Sequence, residues 1–168
     1  MKKIIIILFC ITIVVLSIST KDNILIPEDS IRYRIIANSN SKSDQEIKWN
    51  LNEQIMPVLN DIMVNSTTLD SARTNIYQNL NNIKSILNTS NQKYNINYGN
   101  NYFPEKKYNN VKYNAGNYES LVITLGDGNG DNFWCVMFPP LCLLEVQKDN
   151  VDDVKYSFFV KEIINNYS

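Results

Sequence analysis

The first well-patterned segment of the chain is a strand at residues 31–37. Apolar and polar side chains alternate there, which places Ile31, Tyr33 and Ile35 on one face. The next four residues, 38–41, are Asn and Ser, which favour turns because their short side chains bond to the neighbouring backbone. The pattern therefore predicts a half-buried strand that ends in a polar turn.

Two amphipathic helices are predicted after this turn. Ser43 and Glu46 form a capping box, which predicts that the first helix begins there. Pro57 lacks an N–H donor and should kink or end this helix just before it. The second helix is predicted to run from the N-cap Thr68 to about Leu87. We interpret the two apolar stripes as core; they are Ile47, Leu51, Ile55, Val58, Leu59 and Ile62, then Ala72, Ile76, Leu80, Ile83 and Leu87.

The pattern changes to a period of two in the second half of the chain. Residues 94–99 alternate and predict a strand that ends at the glycine, and residues 100–114 are irregular and predict a long loop. Residues 118–125 and 133–138 are apolar strands, and the glycine-rich segment 126–132 predicts that they form a hairpin.

These elements define a fold class. A terminal helix is predicted at residues 154–164, after an acidic stretch. We predict an α+β fold in which amphipathic helices pack on a mostly antiparallel sheet, with one domain at residues 31–168. Residues 20–30 lack periodicity and contain a proline, so we predict a short tether there.

The N-terminus has the pattern of a secretory signal. Lys2 and Lys3 precede an apolar run at residues 4–18, and the chain turns polar from Ser19. The run is shorter than the roughly 20 apolar residues of a membrane-spanning helix, which favours a signal peptide cleaved after residue 19. An uncleaved N-terminal anchor remains the alternative, because Ser matches the cleavage position less well than Ala.

Composition argues against several classes of function. The formal net charge is −1, and the sequence has no basic cluster for nucleic acid or anionic lipid. The chain contains no histidine, which removes the commonest general base, the usual activator of Ser and Cys nucleophiles, and the commonest zinc ligand. We therefore predict a protein that is not an enzyme, with no catalytic residues, no metal and no cofactor.

Two cysteines remain after the signal segment. Cys135 and Cys142 flank Phe138 and Pro139, and a turn centred on those two residues would set the cysteines opposite each other. We predict a disulfide, as is usual for a cysteine pair in an exported protein. The alternative, a catalytic thiol, lacks a histidine or an evident basic neighbour. A type VI turn would make the Phe138–Pro139 bond cis, although trans is the commoner state.

Acidic and glycine-rich residues raise three further hypotheses. Segment 126–131 (GDGNGD) precedes a strand instead of a helix, so it does not fit a phosphate loop. It matches only the first three ligands of a calcium loop. We interpret it as a solvated turn. Paired carboxylates for glycoside cleavage could come from Asp44, Glu46, Glu53, Asp127 and Asp131, which we interpret as surface residues.

Several unusual strings in the sequence together resemble one family. They are residues 31–39 (IRYRIIANS), Asp44, Gln45 and Lys48, Phe103 and Pro104, residues 115–121 (AGNYESL), residues 126–130 (GDGNG) and residues 134–142 (WCVMFPPLC). In this order they resemble stage II sporulation protein R of endospore-forming bacteria, over about residues 31–143. The sequence departs from the family pattern at Asn40, where an Asp is frequent, and at residues 49–52.

The resemblance implies a signalling protein. Family members are made in the forespore and exported into the space between the two septal membranes. There they activate a membrane-embedded aspartic protease of the mother cell, which processes the precursor of the mother-cell sigma factor. The resemblance implies no catalytic residues. A wall-associated envelope protein and a secreted hydrolase are the alternative functions.

The sequence also suggests where the protease would bind. We predict a surface that joins the corner after the first strand with the segment around the cysteines, since Arg and aromatic residues are frequent interface anchors. The candidates are Arg32, Arg34, Asn38, Ser39, Trp134, Phe138, Pro139, Pro140 and Leu141. The alternative for Trp134 and Phe138 is that each belongs to the core.

Overall fold

The computed structural model describes residues 24–108 and 111–142, together with Ile163 and Asn166. The strands are β1 (Ile24–Leu25), β2 (Ile31–Ile36), β3 (Tyr94–Phe103), β4 (Lys106–Tyr108), β5 (Val111–Tyr113), β6 (Gly116–Leu125) and β7 (Asn132–Phe138). The helices are α1 (Lys42–Val64) and α2 (Leu69–Leu87), followed by a 3₁₀ turn at Asn88–Ser90. The α+β class and the mostly antiparallel sheet are confirmed.

Parts of the sequence prediction lie outside the described residues. These are the signal segment 1–19 and all of the terminal helix 154–164 except Ile163, which is helical. Among the helices that the structure describes, none is both long and apolar enough to cross a membrane.

The main sheet has the strand order β3-β6-β2-β7. Strand β2 pairs in parallel with β6 and antiparallel with β7, and β3 pairs antiparallel with β6. The predicted hairpin of residues 118–138 is therefore wrong, because β2 lies between its two arms. The glycine loop (residues 126–131) connects β6 to β7 across the end of β2. These two strands are two strand spacings apart, which is roughly 10 Å. Local turn chemistry does not reveal an inserted strand.

The two faces of this sheet are covered differently. On the helix face, Tyr33, Ile35, Leu121 and Ile123 are fully buried against α1 and α2. The second face carries a separate cluster made of Ile26, Phe103, Tyr113, Tyr118, Trp134, Val136 and Leu141, with Ile163 packed against it. Two members of this cluster lie in or beside β1 and β5, since Tyr113 lies in β5 and Ile26 directly follows β1. A three-stranded sheet of order β1-β5-β4 thus accompanies the second face.

Helix α1 differs from its prediction at the start and in the middle. Its N-cap is Ser41, whose side chain accepts a hydrogen bond from the Asp44 N–H, so the predicted box at Ser43 is wrong. The helix also passes through Pro57 without ending. Pro57 lies on the exposed side, where water can serve the carbonyl left unpaired at Glu53. The predictions for α2, from Thr68 to Leu87, are confirmed.

The region from residue 99 to residue 114 contains more strand than predicted. Strand β3 continues to Phe103 because it pairs with β6 at ten consecutive positions. Strands β4 and β5 then occupy most of what the sequence predicted as a loop. Within the predicted tether, Ile24–Leu25 pair in parallel with β5, and Ile26 is buried.

An ionic cluster joins α2 to β6. Arg73 donates hydrogen bonds from Nε and Nη2 to the Glu119 carboxylate at 2.8–3.1 Å, and a further one to Asp70. The Tyr98 hydroxyl donates to Glu119 Oε1 at 2.5 Å. Burial by itself would raise the pKa of Glu119, but the hydrogen bonds from Arg73 and Tyr98 outweigh it and hold the pKa below its ordinary value.

This cluster should make stability depend on pH. The folded-state pKa of Glu119 is depressed, so its contribution is present above the unfolded pKa of 4.5 and is lost as pH falls through the folded value. We expect the Glu119→Gln variant to lose less stability than wild type between pH 5 and pH 3, measured by urea unfolding. Asp44, whose pKa is also lowered, continues to contribute in both proteins. Identical pH profiles would contradict this assignment.

Candidate partner-binding site

The two cysteines form the predicted disulfide. The Cys135 and Cys142 sulfurs are bonded at 2.09 Å, with the Cα atoms 5.2 Å apart. The bond joins the buried end of β7 to the segment after it, and both cysteines are buried. The Phe138–Pro139 peptide bond inside this loop is cis, so the expectation of the commoner trans state is wrong.

Removing this bridge should weaken the domain measurably. The closed loop is short, so the chain-entropy model assigns it a stabilisation of about 2.5 kcal/mol. We expect the Cys135→Ala/Cys142→Ala variant to lose about that amount in denaturant unfolding. Reduced wild-type protein provides the control and should match the double variant. A stability equal to that of oxidised wild type would contradict the prediction.

The candidate residues around the disulfide do not form a surface. Trp134 and Phe138 are each 6% exposed, and Leu141 is 1% exposed. Pro139 and Pro140 are buried as well. The prediction of an exposed aromatic-proline surface is therefore wrong, because Trp134 and Leu141 pack in the apolar cluster of the second face and Phe138 packs in the core of the helix face. The alternative, that Trp134 and Phe138 are core, is confirmed.

Arg32 is buried inside an aromatic cage formed by Phe103, Tyr118 and Trp134. Its Cζ lies 3.3 Å from the Tyr118 ring centroid and 5.1 Å from each of the other two centroids. No polar atom of the described residues accepts a hydrogen bond from its three nitrogens. Burial lowers the pKa of this guanidinium. The contacts that remain are cation–π contacts, and Arg32 is not an accessible residue.

Arg34 lies two residues further along the same face, at the border between covered and open surface. Arg32 and its cross-strand neighbours Ser120 and Val136 are buried. Two residues beyond Arg34, Ile36 and its neighbours Thr124 and Asn132 are partly exposed. Arg34 itself is partly exposed, and burial lowers the pKa of its guanidinium. Of the two arginines on β2, only Arg34 can reach solvent.

The polar corner comprises residues 38–41 with Asp44, Gln45 and Lys48. The Asn38 amide donates to Asp44 Oδ2 at 3.0 Å, and the Ser39 hydroxyl donates to the same oxygen. The Asn38 side-chain oxygen accepts the Asp127 N–H at 2.9 Å. Hydrogen bonds from Ser39 first and Asn38 second lower the pKa of Asp44. Asn38 and Ser39 are partly exposed, but their polar atoms are held by these bonds.

The glycine loop packs directly on the polar corner. The Gly130 N–H donates to the Ala37 carbonyl at 2.9 Å, and the Asn129 N–H donates to the Asn38 carbonyl at 3.0 Å. Gly126 and Gly128 have positive φ angles of 53° and 68°. The loop does use residues that tolerate positive φ, as predicted, but it is docked and not a free hairpin turn.

Lys48 also belongs to this corner, although the sequence pointed to it only through the family resemblance and not as a candidate binding residue. It is 2% exposed, and its Nζ donates to Gln45 Oε1 at 2.7 Å and to the Asp131 carbonyl at 3.2 Å. Burial lowers the pKa of its amine. Its position three and seven residues before the core residues Leu51 and Ile55 was the available signal, because that spacing places it on their helix face.

Comparison with known proteins places these features in a family. The model of the family "Stage II sporulation protein R" matches residues 27–148. A relative of that name from Bacillus subtilis (strain 168) is 38% identical over an alignment of 133 residues, which covers 76% of this chain. The chain belongs to the stage II sporulation protein R family.

The match covers only part of the relative. The aligned residues are 59% of the length of the Bacillus subtilis stage II sporulation protein R. No solved structure matches this chain. The family match includes the polar corner, the glycine loop and both arginines of β2. Within the described ranges, no group of three or more His, Cys, Asp or Glu side chains is arranged to hold a metal ion.

Proposed function

We propose that this chain is an exported signalling protein of sporulation that activates a membrane-embedded aspartic protease of the mother cell. Activation would lead to processing of the mother-cell sigma factor precursor. The observation that carries the proposal is membership of the stage II sporulation protein R family over residues 27–148. The sporulation role follows from the family, and the protease as partner is the proposed step.

Two features of the chain support export and action outside the cytoplasm. The apolar run at residues 4–18 behind two lysines has the pattern of an export signal. The bond between Cys135 and Cys142 suits a compartment where disulfides persist. We place the domain in the space between the two septal membranes, released or tethered according to whether the signal is cleaved.

We further propose that the chain acts by binding and not by catalysis. The sequence has no histidine, and the two cysteines beyond the signal segment are joined to each other. The carboxylate of Asp44 is held by Asn38 and Ser39, so it is engaged in joining the corner. These observations favour a protein whose surface is recognised by a partner.

The proposal can be tested in a host that does not sporulate. The chain would be co-expressed with the cognate protease and the sigma factor precursor, with and without residues 1–19. We expect precursor cleavage with the full chain and strongly reduced cleavage without residues 1–19, because the domain would stay in the wrong compartment. Cleavage that does not require this chain would reject the proposal. Retention on isolated peptidoglycan without any effect on cleavage would instead support a wall-associated protein.

A further inference from the structure

The second face of the sheet carries two positive charges that no carboxylate of the described residues pairs with. The chain has three arginines. Arg73 is paired with Glu119 and Asp70, whereas no ion pair joins Arg32 or Arg34 to a carboxylate of the described residues. Both β2 guanidiniums lie near one ring, since their Cζ atoms are 5.1 Å and 5.5 Å from the Phe103 centroid. Counted over the part of the chain that the structure describes, the β2 side of this face therefore holds an excess of positive charge.

Arg34 is the part of this excess that an external group can reach. Arg32 lies behind it in the aromatic cage, while the partly exposed residues Ile36 and Thr124 adjoin it on the other side. The Arg34 Nε is buried without an acceptor. A partly buried guanidinium whose Nε lacks an acceptor favours a carboxylate as its ligand. A carboxylate can accept two parallel hydrogen bonds from the planar guanidinium.

We propose that Arg34 binds a carboxylate side chain on an acidic extracytoplasmic segment of the protease. The inference rests on the proposed function and adds the chemistry of the contact. Charge complementarity selects this occupant. Among the described residues no carboxylate pairs with Arg34, and Arg32 adds a second positive charge two residues away on the same face. The partly exposed residues Thr124 and Asn132 nearby offer polar groups that suit a peptide.

Binding of a model acidic peptide tests the site directly. The full chain would carry Trp49→Phe, so that Trp134, the neighbour of Arg34 across β2 and β7, is the only tryptophan. We expect hexaglutamate to change its fluorescence, and Arg34→Gln to weaken binding at least about tenfold. Arg34→Lys should retain part of the affinity. Lys84→Gln, which removes one exposed charge from α2, is the matched control and should bind normally.

The co-expression assay supplies the second readout. Arg34→Gln should reduce precursor cleavage at least about tenfold, while Lys84→Gln cleaves normally and both variants unfold at the wild-type urea concentration. Normal peptide binding and cleavage by Arg34→Gln would overturn the proposal. So would an Arg34-dependent affinity for phosphatidylglycerol vesicles that exceeds the affinity for hexaglutamate, because the anion would then be lipid. If the unaltered chain never activates the protease, the proposed function fails, while the peptide titration still decides whether Arg34 binds carboxylates.

Discussion

The Gly130→Ala variant should lose about 3 kcal/mol of unfolding free energy or more. A Cβ at this position would lie 2.3 Å from the Ser39 carbonyl oxygen and 2.9 Å from the Ala37 Cβ. The Ser39 oxygen is a backbone atom and the Ala37 Cβ is bonded directly to the backbone, so neither can move aside as the end of a flexible side chain can. The loop would have to move away, and the hydrogen bond from the Gly130 N–H to the Ala37 carbonyl would be lost.

The matched control for this variant is Gly99→Ala. Gly99 lies inside β3, and a Cβ there would meet only the Asn97 side-chain oxygen at 3.9 Å. Since glycine is unfavourable inside a strand, this variant should match wild type or gain up to about 1 kcal/mol. Urea unfolding of both variants checks the prediction. Equal stability of Gly130→Ala and wild type would show that the glycine loop is not docked on the polar corner.

Loss of the docked loop should also expose the polar corner. The glycine-loop end holds the corner through Asp131. Lys48 Nζ donates a hydrogen bond to the Asp131 carbonyl, and the Asp131 N–H donates to the Asn40 side-chain oxygen at 2.6 Å. These bonds link the polar corner to Asp131, which is 83 residues from Lys48 and 91 residues from Asn40. A carboxylate oxygen can accept the same hydrogen bond as the carboxamide oxygen of Asn40, so an Asp at position 40 would keep this contact.

Local periodicity was enough to predict the helix face of the fold. Ile31, Tyr33 and Ile35 lie on the side of β2 that meets the helices, as their alternation indicated. Thr68 caps α2, because its hydroxyl accepts a hydrogen bond from the N–H of Ser71, three residues later. Both predictions depend on residues that are neighbours in the sequence, which is why they could be made without a structure.

The errors of the sequence analysis concern contacts between distant segments. The insertion of β2 between β6 and β7 depends on pairing between residues about 90 to 110 positions apart, which no local pattern encodes. Pro57 was expected to interrupt α1, but packing of residues such as Leu59 and Ile62 holds the helix together beyond it. Tertiary burial thus outweighed a local backbone preference.

In the candidate site, too, local pattern predicted some features, and contacts between distant segments decided the others. The sequence identified Arg32 and Arg34 by their alternation with the core residues of β2, but alternation cannot show which residues the second face covers. The small sheet and Phe103 cover Arg32 and leave Arg34 accessible. Whether an arginine side chain on this face is buried or exposed depends on elements that are remote from it in the chain. One of the two arginines is therefore available to a partner, and the other supports the face from inside.

The Arg32→Ala variant should be destabilised by about 2–4 kcal/mol. Truncation removes a large buried side chain from between Phe103, Tyr118 and Trp134 and leaves a cavity that the three rings can fill only partly. The cation–π contacts are lost as well. Urea unfolding measures the loss, and a variant as stable as wild type would show that the cage collapses without cost.

The Arg32→Met variant separates the volume of this side chain from its charge. Methionine fills most of the same space and contacts aromatic rings favourably, and it requires no desolvation of a guanidinium. We therefore expect a stability within about 1 kcal/mol of wild type, or higher, in the same unfolding experiment. If Arg32→Met is as unstable as Arg32→Ala, the cation–π contacts outweigh the desolvation of the charge, and the arginine itself stabilises the fold. If Arg32→Met is stable but fails to support precursor cleavage, the buried charge acts on the binding surface through its neighbour Arg34.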